Sequence, residues 1–262
     1  MDLGISGKRA LVLASSRGLG LGIATALARE GANVLLVGRS DDKLAENCKA
    51  INAEGKGKAE WVRGDLSDDN FVEAMLAAAE EKLGGIDILV NNTGGPTPGG
   101  VSDMSVDKLS NFFDTMVLKV IALTNAVLPQ MKAQGWGRVL TVGSSGVIEP
   151  IPNLALSNTL RSALVGWNKT LSSEVANCGI TVNMLLPGRI HTDRIDELDG
   201  ANATRQGKSV EEIRAASLKT IPAGRLGNVE EFAAAGAFLC SQPASYITGT
   251  ALRVDGGAAK SI

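Results

Sequence analysis

The chain has 262 residues, of which 44% are hydrophobic, 21% charged and 3% aromatic. Its 26 Lys and Arg balance 28 Asp and Glu, giving a net charge of −2. Nucleic-acid-binding proteins usually carry a basic excess, so this balance argues against one. The hydrophobic fraction excludes a disordered chain. The longest apolar run, residues 232–240, is shorter than the ~18 residues of a membrane span, so we expect no membrane partner.

The N-terminal residues show neither a basic region nor an apolar core, so no secretory signal is expected. The cysteines, Cys48, Cys178 and Cys240, are odd in number and scattered along the chain. No C-x-x-C pair occurs, so neither a disulfide framework nor a metal site is indicated. We therefore expect free thiols and a cytoplasmic location.

Apolar strand-like runs alternate with segments of helical spacing from the N-terminus onward. The predicted strands are 9–13, 33–37, 59–62, 86–90, 138–142, 180–185 and 251–254. The predicted helices are 19–29, 41–53, 68–82, 106–133, 155–176 and 229–239. Pro129 is expected to kink or interrupt the fourth of these helices. The strands carry near-continuous Val, Leu and Ile, which is typical of strands buried on both faces. The pattern predicts an α/β, doubly wound fold with a seven-stranded parallel sheet in a single domain, residues 1–262.

Two segments between these elements are predicted to be irregular. Residues 93–100, Thr-Gly-Gly-Pro-Thr-Pro-Gly-Gly, follow the fourth strand. Residues 193–220 follow the sixth strand and are polar, with potential breakers at Gly200, Asn202 and Gly207. Both segments follow the carboxyl ends of strands, where open α/β sheets bind ligands.

The first strand leads into a glycine-rich turn, Ala14-Ser15-Ser16-Arg17-Gly18-Leu19-Gly20. Such a strand-to-helix turn directs backbone N–H groups and the helix dipole toward a pyrophosphate. A tight turn without a ligand is the alternative interpretation.

With this turn, further motifs make the chain resemble the short-chain dehydrogenase/reductase family over nearly its whole length. Within that family it is most similar to the 3-oxoacyl-[acyl-carrier-protein] reductases. The matching segments are 13–20 (T-G-x-x-x-G-x-G), 91–94 (N-N-A-G), 187–192 (P-G-x-I-x-T), 221–227, 246–249 and 254–257.

The resemblance implies a Rossmann fold that binds a dinucleotide. Asp65 and Leu66 correspond to the family positions near the adenine, and residues 187–192 to the loop that holds the nicotinamide. The implied cofactor-binding residues are Ser16, Arg17, Gly18, Leu19, Gly20, Asp65, Leu66, Asn92, Gly94, Pro187, Gly188, Ile190 and Thr192.

The residue after the second strand indicates which dinucleotide is bound. Sites that prefer NAD place an acid there, whereas this chain has Arg39. The planar, permanently charged guanidinium suits a phosphate. Arg17 adds a second cation in the glycine turn, where NADP users of the family often carry a basic residue. The sequence therefore predicts NADP(H) over NAD(H), the alternative being two solvated surface cations.

The chain departs from the family at its catalytic residues, which the resemblance gives as Asn, Ser, Tyr and Lys. Only the serine is kept, as Ser144. The family positions of Asn, Tyr and Lys are occupied by Met116, Ser157 and Arg161. A shifted alignment does not restore the tyrosine, because the sole Tyr of the chain, Tyr246, belongs to a late motif.

These replacements predict an altered proton path. An aliphatic hydroxyl is a weaker acid than a phenol, whose pKa is ~10, and the Ser157 side chain is a ring shorter. Arg161 keeps its proton but is expected to hold the ribose or an anionic substrate group. Ser144 would polarise a carbonyl. His191, the single His of the chain, is a candidate substitute proton donor.

Three further residues carry open expectations. Ala14 replaces the first family glycine; alanine tolerates this turn if φ stays negative, but its methyl group is expected to crowd the pyrophosphate. Lys119 either faces the catalytic cavity or lies solvated on a helix. Arg189 is a candidate contact for a substrate carboxylate or phosphate.

Two functions remain open from the sequence. The first is an NADP(H)-dependent short-chain oxidoreductase that reduces a small-molecule carbonyl or oxidises an alcohol. The alternative is a catalytically inactive NADP(H)-binding sensor or oligomer partner. The resemblance also implies a homotetramer, with helices 106–133 and 155–176 at one interface, and a substrate lid at about 193–220.

Overall fold

The computed structural model describes residues 2–261. Its strands form one parallel sheet in the order β3-β2-β1-β4-β5-β6-β7. The strands are β1 (Arg9–Val12), β2 (Asn33–Gly38), β3 (Ala59–Arg63), β4 (Ile88–Asn91), β5 (Gly137–Val142), β6 (Ile180–Pro187) and β7 (Ala251–Val254). The predicted seven-stranded parallel sheet is therefore confirmed.

Helices cover both faces of this sheet. They are α1 (Gly18–Arg29), α2 (Asp41–Ala53), α3 (Phe71–Leu83), α4 (Val106–Phe113), α5 (Lys119–Gln134), α6 (Ala155–Val175), α7 (Asp193–Gln206), α8 (Val210–Leu218) and α9 (Val229–Leu239). Ala10 and Val12 of β1 pack on one face with α1 and α9, whereas Leu11 packs on the other with α3 and α5. Each strand thus buries successive side chains in two different cores, which explains its continuous apolar sequence.

The long helical stretch after residue 105 deviates from the prediction in where it is interrupted. Pro129 lies inside α5, which continues to Gln134. The interruption falls instead at Asp114–Leu118, a π-helical segment between α4 and α5. This segment buries Met116 against Leu160 of α6 and Met184 of β6. The predicted interruption at Pro129 was wrong, because α5 runs through this residue and the irregular segment lies where Met116 packs.

Together, α4, the π segment and α5 form one helical stretch, Val106–Gln134. By length and composition alone, this stretch could cross a membrane, because an 18-residue window of it has a mean hydropathy of 1.4. Within the fold it is a core helix. Leu123, Val127 and Met131 pack against the sheet and the neighbouring helices. The sequence-based expectation considered only uninterrupted apolar runs. It did not identify this stretch, because polar residues interrupt its apolar sequence.

Residues 193–220 are mostly helical, so the predicted irregularity was wrong. Gly200 lies within α7, and Gly207 ends that helix with a left-handed φ of 63°. Ser209 begins α8 in a capping box, accepting from the Glu212 N–H at 3.1 Å and donating its own N–H to the Glu212 carboxylate at 2.8 Å. Of the predicted breakers, Gly207 therefore acts as a helix cap, whereas Gly200 and Asn202 lie inside α7.

The cysteines of the described chain are free, as predicted. Cys48 and Cys240 are buried, and Cys178 is partly exposed. Burial raises the pKa of the Cys48 thiol to about 11 and that of Cys240 to about 12. Both buried thiols are therefore protonated and unreactive near neutral pH.

Candidate functional site

The candidate site lies at the carboxyl edge of the sheet, where the strand order reverses between β1 and β4. Ligands of doubly wound folds bind in the crevice at such a reversal. The turn after β1 and the loop after β4 meet there, because Asn92 Nδ2 donates to the Ala14 carbonyl at 3.2 Å. Asn92 is buried, whereas Gly94, two residues further on, is exposed.

The turn after β1 is strained at Ala14, which has a φ of 46°. The negative φ with which alanine would tolerate this turn is therefore not adopted. A left-handed conformation costs a residue with a side chain ~1–2 kcal/mol. The turn is held in place by Ser15, whose Oγ donates to the Val12 carbonyl at 2.7 Å and accepts from the Val37 N–H at 2.9 Å.

Gly20 allows the turn and α1 to pack closely. A Cβ at this position would lie 2.4 Å from the Ala14 carbonyl oxygen and 2.7 Å from Asn92 Nδ2. Ser16 packs against Gly38 at the end of β2, and its carbonyl accepts from Asn47 Nδ2 at 3.0 Å. Leu19 anchors the first turn of α1 in the core.

The amino end of α1 fits the phosphates of a dinucleotide. The first N–H groups of a helix have no intrahelical acceptors and attract anions. The N-cap residue of α1, Arg17, places no side-chain acceptor on them. Gly18 starts the helix with a φ of 60°. These donors, together with the reversal of the strand order, are consistent with the predicted phosphate site, called the anion cradle below.

Arg39 lies directly after β2, and its side chain is 78% exposed. Its Nη1 lies 3.8 Å from an Asp65 oxygen after β3. Asp65 accepts from the Ser67 N–H at 3.0 Å and from the Ser67 hydroxyl at 2.9 Å, and these bonds lower the pKa of the carboxyl below its ordinary value. Leu66 packs on the core beside them. The Arg39 guanidinium is therefore accessible to a phosphate at this edge.

Arg17, the second cation predicted to bind phosphate, is engaged in ion pairs with α7. Its Nη1 lies 2.8 Å from Asp193, and its Nη2 lies 3.6 Å from Glu197. The side chain is 56% exposed. The sequence prediction did not identify these acidic partners, because they lie on a segment that was read as irregular.

The predicted catalytic serines lie around the carboxyl end of β5. Ser144 is half-buried, and its Oγ accepts from the Gly146 N–H at 3.1 Å. Ser157 is half-buried near the start of α6, one helical turn before Arg161. Both hydroxyl groups therefore belong to the same corner of the fold as Arg161.

Arg161 is 7% exposed and binds main-chain carbonyls. Its Nη1 donates to the Val142 carbonyl at 2.7 Å, and its Nη2 donates to the Thr93 carbonyl at 3.4 Å. These bonds join the carboxyl ends of β5 and β4. Burial, followed by the positive charge of Arg194, lowers the pKa of Arg161 to about 10. The guanidinium therefore remains charged near neutral pH, in the middle of the candidate site.

Two further residues considered from the sequence contact the core or the main chain. Met116, at the family position of asparagine, is buried in a hydrophobic cluster with Leu160 and Met184. Lys119 Nζ donates to the carbonyls of Asp68 and Asp69 at 2.9 and 3.0 Å. Of the two interpretations of Lys119, the one that placed it in the catalytic cavity was therefore wrong.

The loop after β6 has the ordered conformation expected of a binding loop. Pro187 pairs with Val254 of β7, and a Cβ on Gly188 would lie 2.6 Å from Asp255. Ile190 is buried and forms a bridge with Gly227. His191 is exposed and donates its backbone N–H to the Gly227 carbonyl at 2.8 Å. The next residue, Thr192, is the N-cap of α7.

Residues of α7 and α8 that the sequence analysis missed complete this region. Arg194 Nη2 donates to the Pro96 carbonyl at 2.6 Å, across the loop after β4. Asp199 is fully buried and accepts hydrogen bonds from Arg189 and, at 3.1 Å, from Arg214. Arg189 is therefore paired within the protein, which contradicts its assignment to a substrate anion. A helical interpretation of 193–206 would have placed these charges on defined faces.

Comparisons with known proteins agree with this architecture. Residues 13–259 match the family described as enoyl-(acyl carrier protein) reductase. The chain is 35% identical to the 3-oxoacyl-[acyl-carrier-protein] reductase of Vibrio cholerae over 257 residues, covering 97% of this chain and 98% of that protein. It is also 35% identical to the dehydrogenase/reductase SDR family member 4 of Sus scrofa, covering 97% and 88% of the two chains.

Solved structures show the same fold. The L-sorbose reductase of Gluconobacter frateurii, solved with NADPH and L-sorbose, superposes with a TM-score of 0.93 at 31% identity over 100% of both chains. YwfH, an NADPH-dependent reductase involved in bacilysin biosynthesis, superposes with a TM-score of 0.92 at 29% identity, covering 97% of this chain and 99% of that one. The chain belongs to the short-chain dehydrogenase/reductase family.

Proposed function

We propose that this protein is an NADPH-dependent reductase of a small carbonyl compound, working through an altered proton path, and that it also oxidises the corresponding alcohol. The observation that carries the proposal is the anion cradle at α1 with the accessible cation Arg39 beside it. Arg17, at the N-cap of α1, is a second cation within that region. The NADPH-complexed L-sorbose reductase and the NADPH-dependent YwfH support it as relatives of the same fold.

Bound NADPH would supply the hydride, and the protein would supply orientation and electrostatics. Ser144 would donate its hydroxyl hydrogen to the substrate carbonyl, and Ser157 would orient the substrate from the facing helix. Arg161 would contribute a fixed positive charge. His191, exposed on the loop after β6, would deliver a proton to the product oxygen from solvent.

A second candidate is an NADP(H)-binding sensor or oligomer partner without turnover. Two observations favour it. Arg161, at the family position of the catalytic lysine, already bonds main-chain carbonyls, and Met116 is packed in the core. A sensor would bind the cofactor in the same cradle but would not catalyse hydride transfer. Measured turnover of NADPH therefore distinguishes it from the reductase.

Assembly and location extend the proposal. We propose one domain, residues 1–262, with a substrate lid at about 193–220, assembled as a homotetramer in the cytoplasm. The helices α4 and α5, with the π segment between them, expose Val106, Phe113 and Leu118, which suits burial against another copy. The apparent mass measured by light scattering tests the tetramer.

The cofactor part is tested by calorimetric titration with NADPH and NADH. We expect tighter binding of NADPH, and Arg39→Gln should weaken NADPH binding by roughly 10–100-fold while sparing NADH, because it removes a charge-assisted phosphate contact. Arg205→Gln is the control, since Arg205 contacts only its neighbour Asn202 on exposed α7. Tighter binding of NADH would contradict the assignment.

The catalytic part is tested by NADPH oxidation with a panel of ketones and 3-oxoacyl thioesters. Turnover that Ser144→Ala lowers by roughly 10²–10³-fold supports the reductase, since a lost transition-state hydrogen bond costs about that much. A matching loss in His191→Gln supports the proton donor. NADPH binding without turnover on the whole panel supports the sensor.

A further inference from the structure

Arg161 carries a buried positive charge without an acidic partner. No Asp or Glu oxygen within residues 2–261 lies within 4.0 Å of its guanidinium, which bonds only two neutral carbonyls. Burying an ion without a counterion costs several kcal/mol. A ligand of opposite sign at the carboxyl edge of the sheet would offset this cost. The guanidinium also has further N–H donors beyond the two bonds described.

A second guanidinium, that of Arg194 on α7, contacts the same loop after β4. Arg161 donates to the Thr93 carbonyl, and Arg194 donates to the Pro96 carbonyl three residues further along the same loop. The proximity of the two is also reflected in the lowered pKa of Arg161, to which Arg194 contributes. Glu197, the acid paired with Arg194 within residues 2–261, is 51% exposed and lies three residues further along α7. Two neighbouring cations of this kind repel each other unless an anion lies between them.

The position of this pair relative to the serines indicates the kind of anion. Val142, whose carbonyl binds Arg161, precedes Ser144 by two residues, and Ser157 lies one turn before Arg161. The phosphates of the dinucleotide have their own cradle at α1. The remaining anion is therefore a group of the substrate, close to the carbonyl that Ser144 would polarise. A carboxylate matches the planar fork of a guanidinium with two parallel hydrogen bonds.

We propose that the substrate is a short oxo acid whose carboxylate is bound by Arg161 and Arg194. This inference rests on the proposed reductase function. The overall conversion takes an oxo acid, NADPH and one proton to the hydroxy acid and NADP⁺, and leaves the carboxylate unchanged. Because α7 supplies Arg194, substrate binding also fixes the lid helix against the loop after β4.

The test uses oxamate, an oxo-acid analogue that carries a carboxylate, and oxamide, its neutral counterpart. Binding of each is measured by calorimetry on the full-length protein, with and without NADP⁺. We expect oxamate to bind at least ~10-fold more tightly than oxamide, as one charge-assisted contact is worth ~1.5–3 kcal/mol. Equal binding of the two probes, or binding of neither, overturns the proposal.

Variants assign the carboxylate to the two arginines. Arg194→Gln and Arg161→Gln should each weaken oxamate binding by at least ~10-fold, and Arg194→Gln should leave NADPH binding within about twofold. Arg205→Gln is the matched control on α7 and should change neither. If Arg161→Gln does not fold, Arg194→Gln decides, since Arg194 is 38% exposed and its loss leaves the core intact.

The outcomes separate this inference from the proposed function. If the variants weaken NADPH as strongly as oxamate, the anion is a phosphate of the dinucleotide and the oxo-acid proposal is overturned. Oxidation of NADPH by neutral ketones as fast as by 2-oxo acids overturns the carboxylate site but keeps the reductase. Arginine-dependent oxamate binding in a protein without turnover keeps the carboxylate site and overturns the reductase.

Discussion

The guanidinium of Arg17 lies 2.8 Å from the carboxylate of Asp193, so an ion pair joins the turn after β1 to the first residue of α7. Both side chains are more than half exposed, which limits such a pair to ~0–1 kcal/mol. Arg17 is also proposed to bind the nucleotide phosphate. The proposed phosphate and α7 would therefore compete for one cation, and cofactor binding would loosen α7.

Asp193→Asn should tighten NADPH binding by up to about fivefold, because the competing carboxylate is removed from Arg17. Calorimetry at low ionic strength measures the effect, and added salt should reduce it. Glu211→Gln, which removes a carboxylate from α8, is the control. Unchanged or weaker NADPH binding in Asp193→Asn would show that the ion pair does not oppose the cofactor.

Gly20→Ala should abolish tight NADPH binding and destabilise the fold by ~1–3 kcal/mol, the usual range for overpacking. The added methyl group would lie 2.4 Å from the Ala14 carbonyl oxygen, so the turn and Asn92 would have to move apart. Thermal unfolding and NADPH titration measure both effects. Gly200→Ala adds the same methyl group in α7, where nothing lies within 4 Å, and should stabilise the helix slightly. A Gly20→Ala protein with normal NADPH affinity would refute the proposed cradle.

Ala14→Gly should stabilise the protein by up to ~1.6 kcal/mol. Relief of the left-handed strain gains ~1–2 kcal/mol, and the greater freedom of glycine in the unfolded chain offsets ~0.4–1 kcal/mol of that. The midpoint of denaturant unfolding measures the change. Asn153→Gly is the control at the other left-handed residue of the described chain that is not glycine, and it should gain less, because asparagine tolerates this conformation. A lower midpoint in Ala14→Gly would contradict the strain.

The elements that the sequence predicted well are those whose burial follows a local pattern. The bounds of α2, α9 and β7 agree with the prediction, because each begins and ends with a change in hydrophobicity or a turn residue. The π segment at Asp114–Leu118 was missed, since it depends on how Met116 packs against α6 and β6. The helices α7 and α8 were missed because residues 193–220 are polar and contain potential breakers, one of which, Gly207, is the C-cap of α7.

The same distinction holds for the candidate site. Arg39 and the glycine turn were placed correctly at the carboxyl edge because residue type and strand order suffice to locate them. The partners of Arg17 and Arg161 are separated from them by many residues, so no local pattern contains them. The fold and the cofactor edge were therefore predictable, whereas the use of each cation within the site required the structure.

Glu231 provides a pH-dependent contribution to stability at the start of α9. It pairs with Arg225 through bonds of 2.6 and 2.8 Å and accepts from the Asn228 N–H at 2.8 Å. The Arg225 bonds, followed by the Asn228 bond, lower the pKa of Glu231 from 4.5 to about 2. A carboxyl with a depressed folded-state pKa stabilises the fold above its unfolded pKa and loses this contribution as pH falls through its folded pKa.

Glu231→Gln should therefore lower the melting temperature at neutral pH, and the difference from the unmodified protein should shrink as pH falls from 4.5 to about 2. Thermal unfolding across this range measures the difference. Glu230→Gln is the control, because Glu230 lies in the same first turn of α9 without the Arg225 pair, and its effect should vary less with pH. A Glu231→Gln difference that stays constant down to about pH 2 would show that the carboxylate charge is not what stabilises this helix start.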